Sequence, residues 1–104
     1  MRAIMWADLD KRRPVLILTR PEAGRYLRNV TVAPITSRMR GIAVEVPVGA
    51  QNGLDHDSVV NLDNVTTIPR GRLGAHIGYL GDGQEAALLD ALQAAFGLLP
   101  PPRQ

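Results

Sequence analysis

The apolar residues of this chain come mostly in short, β-patterned runs, and that spacing decides most of what it can fold into. Val15-Leu16-Ile17-Leu18-Thr19 is continuous, aliphatic and β-branched, the pattern of a strand covered on both faces. Pro14 stands at its start, where a missing amide proton is tolerated. Ile42-Ala43-Val44-Glu45-Val46-Pro47-Val48 instead puts aliphatic residues at alternate positions, the period of a half-buried strand, with Pro47 marking an edge or bulge. The stretches 4–7, 30–36, 58–62 and 65–68 read as four more strands. Pro21-Glu22-Ala23-Gly24, Arg40-Gly41, Gln51-Asn52-Gly53 and Pro69-Arg70-Gly71 supply turn chemistry between them, and 20–29 has room for one short helical turn.

Only the C-terminal stretch repeats convincingly at helical spacing, through Leu88, Leu92, Ala95 and Leu99. Asp82 is its expected N-cap, with Glu85 three residues on. Gly97 suits the C-terminal cap, and Pro100-Pro101-Pro102 stops any continuation. Six short strands and a terminal helix predict a mostly β, α+β fold built on a small, strongly curved antiparallel sheet. The expected organisation is a single domain over 1–99 followed by a flexible proline-rich tail, 100–104.

At 104 residues the chain fits one domain able to bury a real core. It has no cysteine, which excludes disulfides, thiolate metal sites and cysteine nucleophiles and suits a reducing cytosol. Its apolar runs fall far short of the roughly 20 residues of a membrane span. The N-terminal stretch reaches Asp8 too soon for a secretory signal. A cytoplasmic protein is expected. Net charge is only +2, but of 12 basic residues Lys11 is the single lysine. Arginine pairs bidentately with phosphate and stacks on bases, so this bias permits a nucleic-acid partner, and a GC-rich genome accounts for it equally well.

Familiar catalytic signatures are mostly missing. The histidines, His56 and His76, stand far apart, and Asp55-His56-Asp57 is better read as a polar loop than as a metal site, because neighbours on an extended chain point to opposite faces. What remains is Arg13, directly before one strand, and Thr36, at the end of another. If those strands are neighbours, a guanidinium and a hydroxyl meet at one cleft, a pairing suited to a phosphodiester. On spacing alone, an arginine capping a sheet edge and a threonine opening a turn is the preferred reading.

An ordered set of segments changes that balance. Trp6-Ala7-Asp8-Leu9, Arg13-Pro14-Val15-Leu16-Ile17-Leu18-Thr19 and Val32-Ala33-Pro34-Ile35-Thr36-Ser37 resemble, in order and character, the MazF/PemK toxin family. Gly53-Leu54, Ser58 through Val65, and Arg72-Leu73 with Ile77-Gly78-Tyr79-Leu80 continue the likeness from about Ala3 to Leu99. The resemblance implies an SH3-like curved antiparallel barrel of the CcdB/PemK/MazF type, a homodimer, and a MazE-like antitoxin partner whose acidic and apolar segment blocks the site. It implies a ribosome-independent endoribonuclease of single-stranded or loop RNA that needs no metal or other cofactor. Attack by the RNA's own 2′-OH would leave a 2′,3′-cyclic phosphate and a 5′-OH.

Carried over by motif, Arg13 and Thr36 are the catalytic pair. Ser37 and Asn64 resemble substrate-contacting positions, and Arg12, Arg38, Arg25 and Tyr26 are further substrate-binding candidates. Tyr26 is the stacking candidate, since Trp6 and Phe96 are expected in the core. Asp63 is the candidate acceptor of the 2′-OH proton. The chain departs from many relatives in the short connection before Arg13 and in Ala3-Ile4, where a glycine–acid pair is usual. The shorter loop leaves the groove open to a folded RNA such as tRNA or an rRNA stem-loop as well as mRNA. Two other classes stand beside this one: a toxin of the same fold that binds DNA gyrase, and a barrel that binds RNA without cutting it.

Overall fold

The computed structural model describes residues 1–23 and 26–98, and within them the chain forms seven strands and one helix. The strands are β1 (Ala3–Asp8), β2 (Arg12–Ile17), β3 (Asn29–Thr36), β4 (Glu45–Val48), β5 (Ser58–Asn61), β6 (Thr66–Pro69) and β7 (Leu73–Tyr79), and the helix is α1 (Glu85–Phe96). All pairings are antiparallel, in the order β4-β5-β3-β2-β1-β7, with β6 also on β3. The eight-residue β3 explains the curl. Its first half pairs with β6 from Asn29 to Val32, its middle with β2 from Val32 to Pro34, and its end with β5 at Ile35 and Thr36.

Each face of β2 carries an apolar cluster, as its unbroken aliphatic run requires. Leu16 joins Ile4, Ala33, Ile35, Val46 and Val60 in a core closed by Leu88 and Ala91 of α1. Val15 turns the other way, into a smaller cluster with Ala7, Val30, Val32 and Ile68. The helix ends as its sequence demands: Gly97 is left-handed at φ 66°, and the Gly97 and Leu98 amides donate back to the carbonyls of Ala94 and Gln93. Leu99 and the expected tail, 100–104, lie outside the described residues.

Five local expectations are revised. The helix is entered through a 3-10 turn, Asp82–Gln84, and the capping acceptor is Gln84 Oε1, which takes the Gly81 N–H at 2.8 Å; the Asp82 side chain makes no cap. Strand β4 begins at Glu45 rather than Ile42, because 42–45 form a turn closed by the Glu45 N–H on the Ile42 carbonyl at 3.1 Å, while the Glu45 carboxylate gathers the amides of 40–42. Pro14 lies inside β2, at a point where β2 is paired with β1 but the ladder to β3 has not begun. The strand β7 has too many glycines and exposed residues to show a period of two, and pairing with β1 holds it. Finally, Phe96 is exposed and Trp6 only half buried, so neither is a core residue.

The turn at 51–53 is structural. Asn52, fully buried, accepts the Gly49 N–H through Oδ1 at 3.0 Å and donates through Nδ2 to the Tyr79 carbonyl at 2.9 Å and to Gln84 Oε1 at 2.7 Å. It ties the β4–β5 connection to the end of β7 and the start of the helix. The close approach requires Gly78, where any Cβ would overlap the Asn52 carbonyl. No helix among the described residues is long and apolar enough to cross a membrane.

Candidate active site

A cleft opens where β2 and β3 part company. Their ladder pairs Ile17 with Val32, Leu16 with Ala33 and Val15 with Pro34, and then stops. The same register carried one step beyond Pro14 sets Arg13 across from Thr36. By then β2 is held only by β1, and β3 has turned to β5 through Thr36–Val59. The gap between the two diverging ends is a cavity of about 520 Å³. Alternation along β2 puts Arg13 on the face of Val15, away from α1, and Thr36 shares the face of Val32 and Pro34.

Arg13 is held by the short β1–β2 connection. Its Nε and Nη2 donate to Asp10 Oδ1 and Oδ2 at 3.0 and 3.2 Å, a two-pronged pair that fixes the plane of the guanidinium. Nη1 has no hydrogen-bond partner among the described residues. The pair also moves both titrations. The Arg13 hydrogen bonds, joined by the Lys11 amide, pull the Asp10 carboxyl down to about 2, and Asp10 raises Arg13 above its ordinary value. Both groups are therefore charged throughout the physiological range.

Thr36 is arranged as a donor. The Arg38 N–H donates to its Oγ1 at 3.1 Å, which uses the oxygen as acceptor and leaves the hydroxyl proton free for a substrate oxygen. The segment that follows carries Arg38 and Arg40 to the cavity wall. Its shape is set by Glu45, whose side chain is only 3% exposed. The carboxylate accepts from the amides of Arg40 at 3.0 Å, Gly41 at 2.9 Å and, more weakly, Ile42 at 3.4 Å. Successive amides converging on one anion form a nest, and Gly41, at φ 68°, permits it. The opposite wall is Asn61, ending β5, with Asn64 in the 3-10 turn Leu62–Asn64 that follows. Three arginines against Asp10 leave the cavity net positive, and two carboxamides give it neutral donors and acceptors.

Of the residues singled out in the sequence, Arg13, Thr36, Arg38 and Asn64 line this cavity. Ser37, exposed beside Thr36, is not part of its wall. Arg12 points to the other face of the sheet, with its guanidinium 5.2 Å from the centre of the Trp6 ring. Tyr26 is 83% exposed on a turn away from the cavity, and Arg25 lies outside the described residues. Asp63 is exposed and does not line the cavity; the carboxylate that does is Asp10. Sequence reasoning missed Asp10, Arg40 and Asn61. An acid three residues before the arginine was the available signal for Asp10, whereas Asn61 reads as an ordinary strand residue. His56 and His76 stay apart from the cavity, and His76 packs on Tyr79 with ring centres 4.6 Å apart.

Residues 2–96 match the family of PemK-like, MazF-like toxins of type II toxin–antitoxin systems. The chain belongs to that family. It is 58% identical over 98 residues to the endoribonuclease MazF3 of Mycobacterium tuberculosis, covering 94% of this chain and 95% of that protein. Among solved structures, the M. tuberculosis toxin MazF-mt6 superposes with a TM-score of 0.92 at 58% identity, over 93% of this chain and 98% of that one. A mycobacterial endoribonuclease in complex with its cognate antitoxin follows at 0.84 and 27% identity, covering 95% of both chains. The curled sheet with one terminal helix is thus the MazF architecture, and the cleft between β2 and β3 lies within the matched residues.

Proposed function

We propose that this MazF-family toxin–antitoxin endoribonuclease cuts RNA in the cavity between β2 and β3. The observation that carries the reading is the convergence of Arg13 and Thr36, from two diverging strand ends, on one net-positive cavity. A relative that it matches over nearly the whole length of both chains is named an endoribonuclease.

RNA brings its own nucleophile, the 2′-OH beside the scissile phosphate. In-line attack forms the bond from O2′ to phosphorus and breaks the bond to O5′; the 2′-OH proton passes to solvent in the open cavity and O5′ takes one up from solvent, giving a 2′,3′-cyclic phosphate and a 5′-OH. What the protein adds is alignment and stabilisation of the extra negative charge on the five-coordinate phosphorus. Arg13, oriented by Asp10, presents Nη1 to a non-bridging oxygen, and the free Thr36 hydroxyl proton meets the other. A guanidinium above its ordinary pKa holds its protons, so the role of Arg13 is electrostatic. A carboxyl at about 2 is a weak base, so Asp10 positions the arginine. Arg38 and Arg40 take flanking phosphates, with Asn64 beside them.

The cognate partner is a MazE-like antitoxin; a relative is solved in complex with its own cognate antitoxin, and an acidic segment suits the cavity's charge. The functional unit is a homodimer of a single-domain chain, 1–99. A second apolar hollow on the face of Arg13, lined by Met5, Ile17, Val30 and Leu73, is a surface that a second copy would cover. The working compartment is the cytoplasm, where RNA and antitoxin meet.

The test is incubation of the purified protein with total RNA in EDTA, beside Arg13→Ala and Thr36→Ala, with the new 5′ ends mapped. Discrete cuts bearing 5′-OH and lost in both variants are expected. Intact RNA with folded, antitoxin-free protein would overturn the reading and bring forward binding without cleavage.

A further inference from the structure

The cavity supplies charge but no ring: among the described residues, none that lines it is aromatic. The chain has four aromatic residues, and two of them, Trp6 and Tyr79, gather elsewhere. Trp6 stands across from Pro14 and Asp8 across from Arg12, so the side chains of Trp6, Pro14 and Arg12 share the face of the β1–β2 hairpin that Arg13 does not. There Trp6 and Pro14 line a hollow of about 320 Å³ with His76 and Ile77 of β7 and the loop 53–56. The exposed Arg12 guanidinium lies 5.2 Å from the centre of the Trp6 ring, and among the described residues it forms no ion pair, although Asp8 is opposite it. The His76 ring meets Tyr79, 45% exposed, with centres 4.6 Å apart. From Arg12 to Pro14, β2 is paired with β1 alone among the described residues, so its other edge is bare where the cavity begins.

We propose that this face is a second RNA-binding surface, which takes an unpaired nucleotide outside the cut: its base stacks at Trp6 in the hollow and its phosphate meets Arg12. The proposal rests on the RNA-cleavage reading above. Single-stranded RNA is held by positive charge along its backbone and by rings against its bases. The cavity provides the charge through Arg13, Arg38 and Arg40, and the Trp6 face provides the rings. Arg12 and Arg13, successive residues on opposite faces of one strand, join the two surfaces, and the bare edge of β2 is where a strand leaving the cavity crosses from one to the other. Charge divides the roles within the second surface. Asp55 lines the hollow, where its carboxylate repels a phosphate yet accepts from the N–H groups of a base. Arg12, facing only a ring, has its N–H fork free for a phosphate. Every base has a π-face, so the surface adds affinity for flanking single strand without selecting its sequence.

The probes are two RNAs that share one mapped cut, the first trimmed close to it and the second extended on both sides by unpaired nucleotides. The readout is the ratio of kcat/KM for the long RNA to that for the short, in which any general loss of activity or of folded protein cancels. The wild type is expected to favour the long RNA at least about fivefold, the low end of what one base–aromatic stack contributes. Trp6→Leu and Arg12→Gln are each expected to bring the ratio within about twofold of one. Trp6 is the single tryptophan, so its fluorescence reports the contact directly. The long RNA with a 2′-deoxy sugar at the cut, which lacks the nucleophile, is expected to quench it more than the short one does. A wild-type ratio near one, a ratio that persists in either variant, or no more quenching by the long RNA than by the short overturns the inference and leaves the cleavage reading standing. Total RNA left intact by folded, antitoxin-free wild type overturns both.

Discussion

Glu45 touches no substrate in this reading, yet it determines where Arg40, one of the three cavity arginines, stands. Glu45→Ala removes the acceptor of the Arg40 and Gly41 amides, at 3.0 and 2.9 Å, and the weaker contact to Ile42. The Arg40 guanidinium lies 3.9 Å from the same carboxylate, too long and exposed to matter much. Hydrogen bonds to a charged acceptor contribute about 1.5–3 kcal/mol each. The freed amides sit in an exposed loop and regain water, so the low end applies and the total is about 2–3 kcal/mol. For a domain of this size that lowers Tm by roughly 10–15 °C. Glu45→Gln keeps one acceptor oxygen and the shape, and falls between the two. In steady-state cleavage of a short RNA, Arg40 loses its fixed position, while Arg38, whose amide is held by Thr36, and Arg13 and Thr36, anchored on β2 and β3, do not. KM is therefore expected to rise about tenfold in Glu45→Ala, with kcat within about threefold of wild type, the signature of lost uniform binding. Wild-type urea midpoints in Glu45→Ala would show that the nest organises nothing. A fall in kcat at constant KM would show that it organises something other than substrate binding.

Three further outcomes are expected. Asp10 titrates below its ordinary 3.8, at about 2, so its pair with Arg13 contributes stability in full above about pH 5 and loses it as pH falls through 4 towards 2. The difference in urea midpoint between wild type and Asp10→Asn should be flat from pH 5 to 8 and vanish by about pH 2; a slope across neutral pH would refute the pairing. Thr36→Val keeps the strand and loses the hydroxyl, so single-turnover cleavage should fall at least about tenfold with thermal stability nearly unchanged, and Thr36→Ser should restore most of it. Gly78→Ala drives a methyl into the Asn52 carbonyl, whose residue joins three elements, and should cost at least about 3 kcal/mol in chemical denaturation.

What the sequence made legible follows from which constraints are local. Val15–Ile17 announced a doubly covered strand, and the structure sends Val15 and Leu16 to opposite clusters. Gly97 announced its own cap. Arg13 and Thr36 were reachable through the order of the family's motifs, and their meeting across a broken ladder is a property of register that no single segment carries. Asp10, Arg40 and Asn61 stayed hidden for three separate reasons. The partner of Asp10 is set by the tightness of the β1–β2 connection, and the place of Arg40 by a glutamate on the next strand. Asn61 looks like a solvent-facing strand residue until β4 and the turn after it bury it. The failed expectation at Ile42–Val44 has the same root as the success at the site. A period of two predicted a strand there; instead the Glu45 amide closes a turn on the Ile42 carbonyl at 3.1 Å, and its buried carboxylate gathers the amides just before it, which makes the loop that brings Arg40 to the cavity. Local pattern proposes the elements here, and a few buried polar groups decide where they end. Those ends are where the site is built.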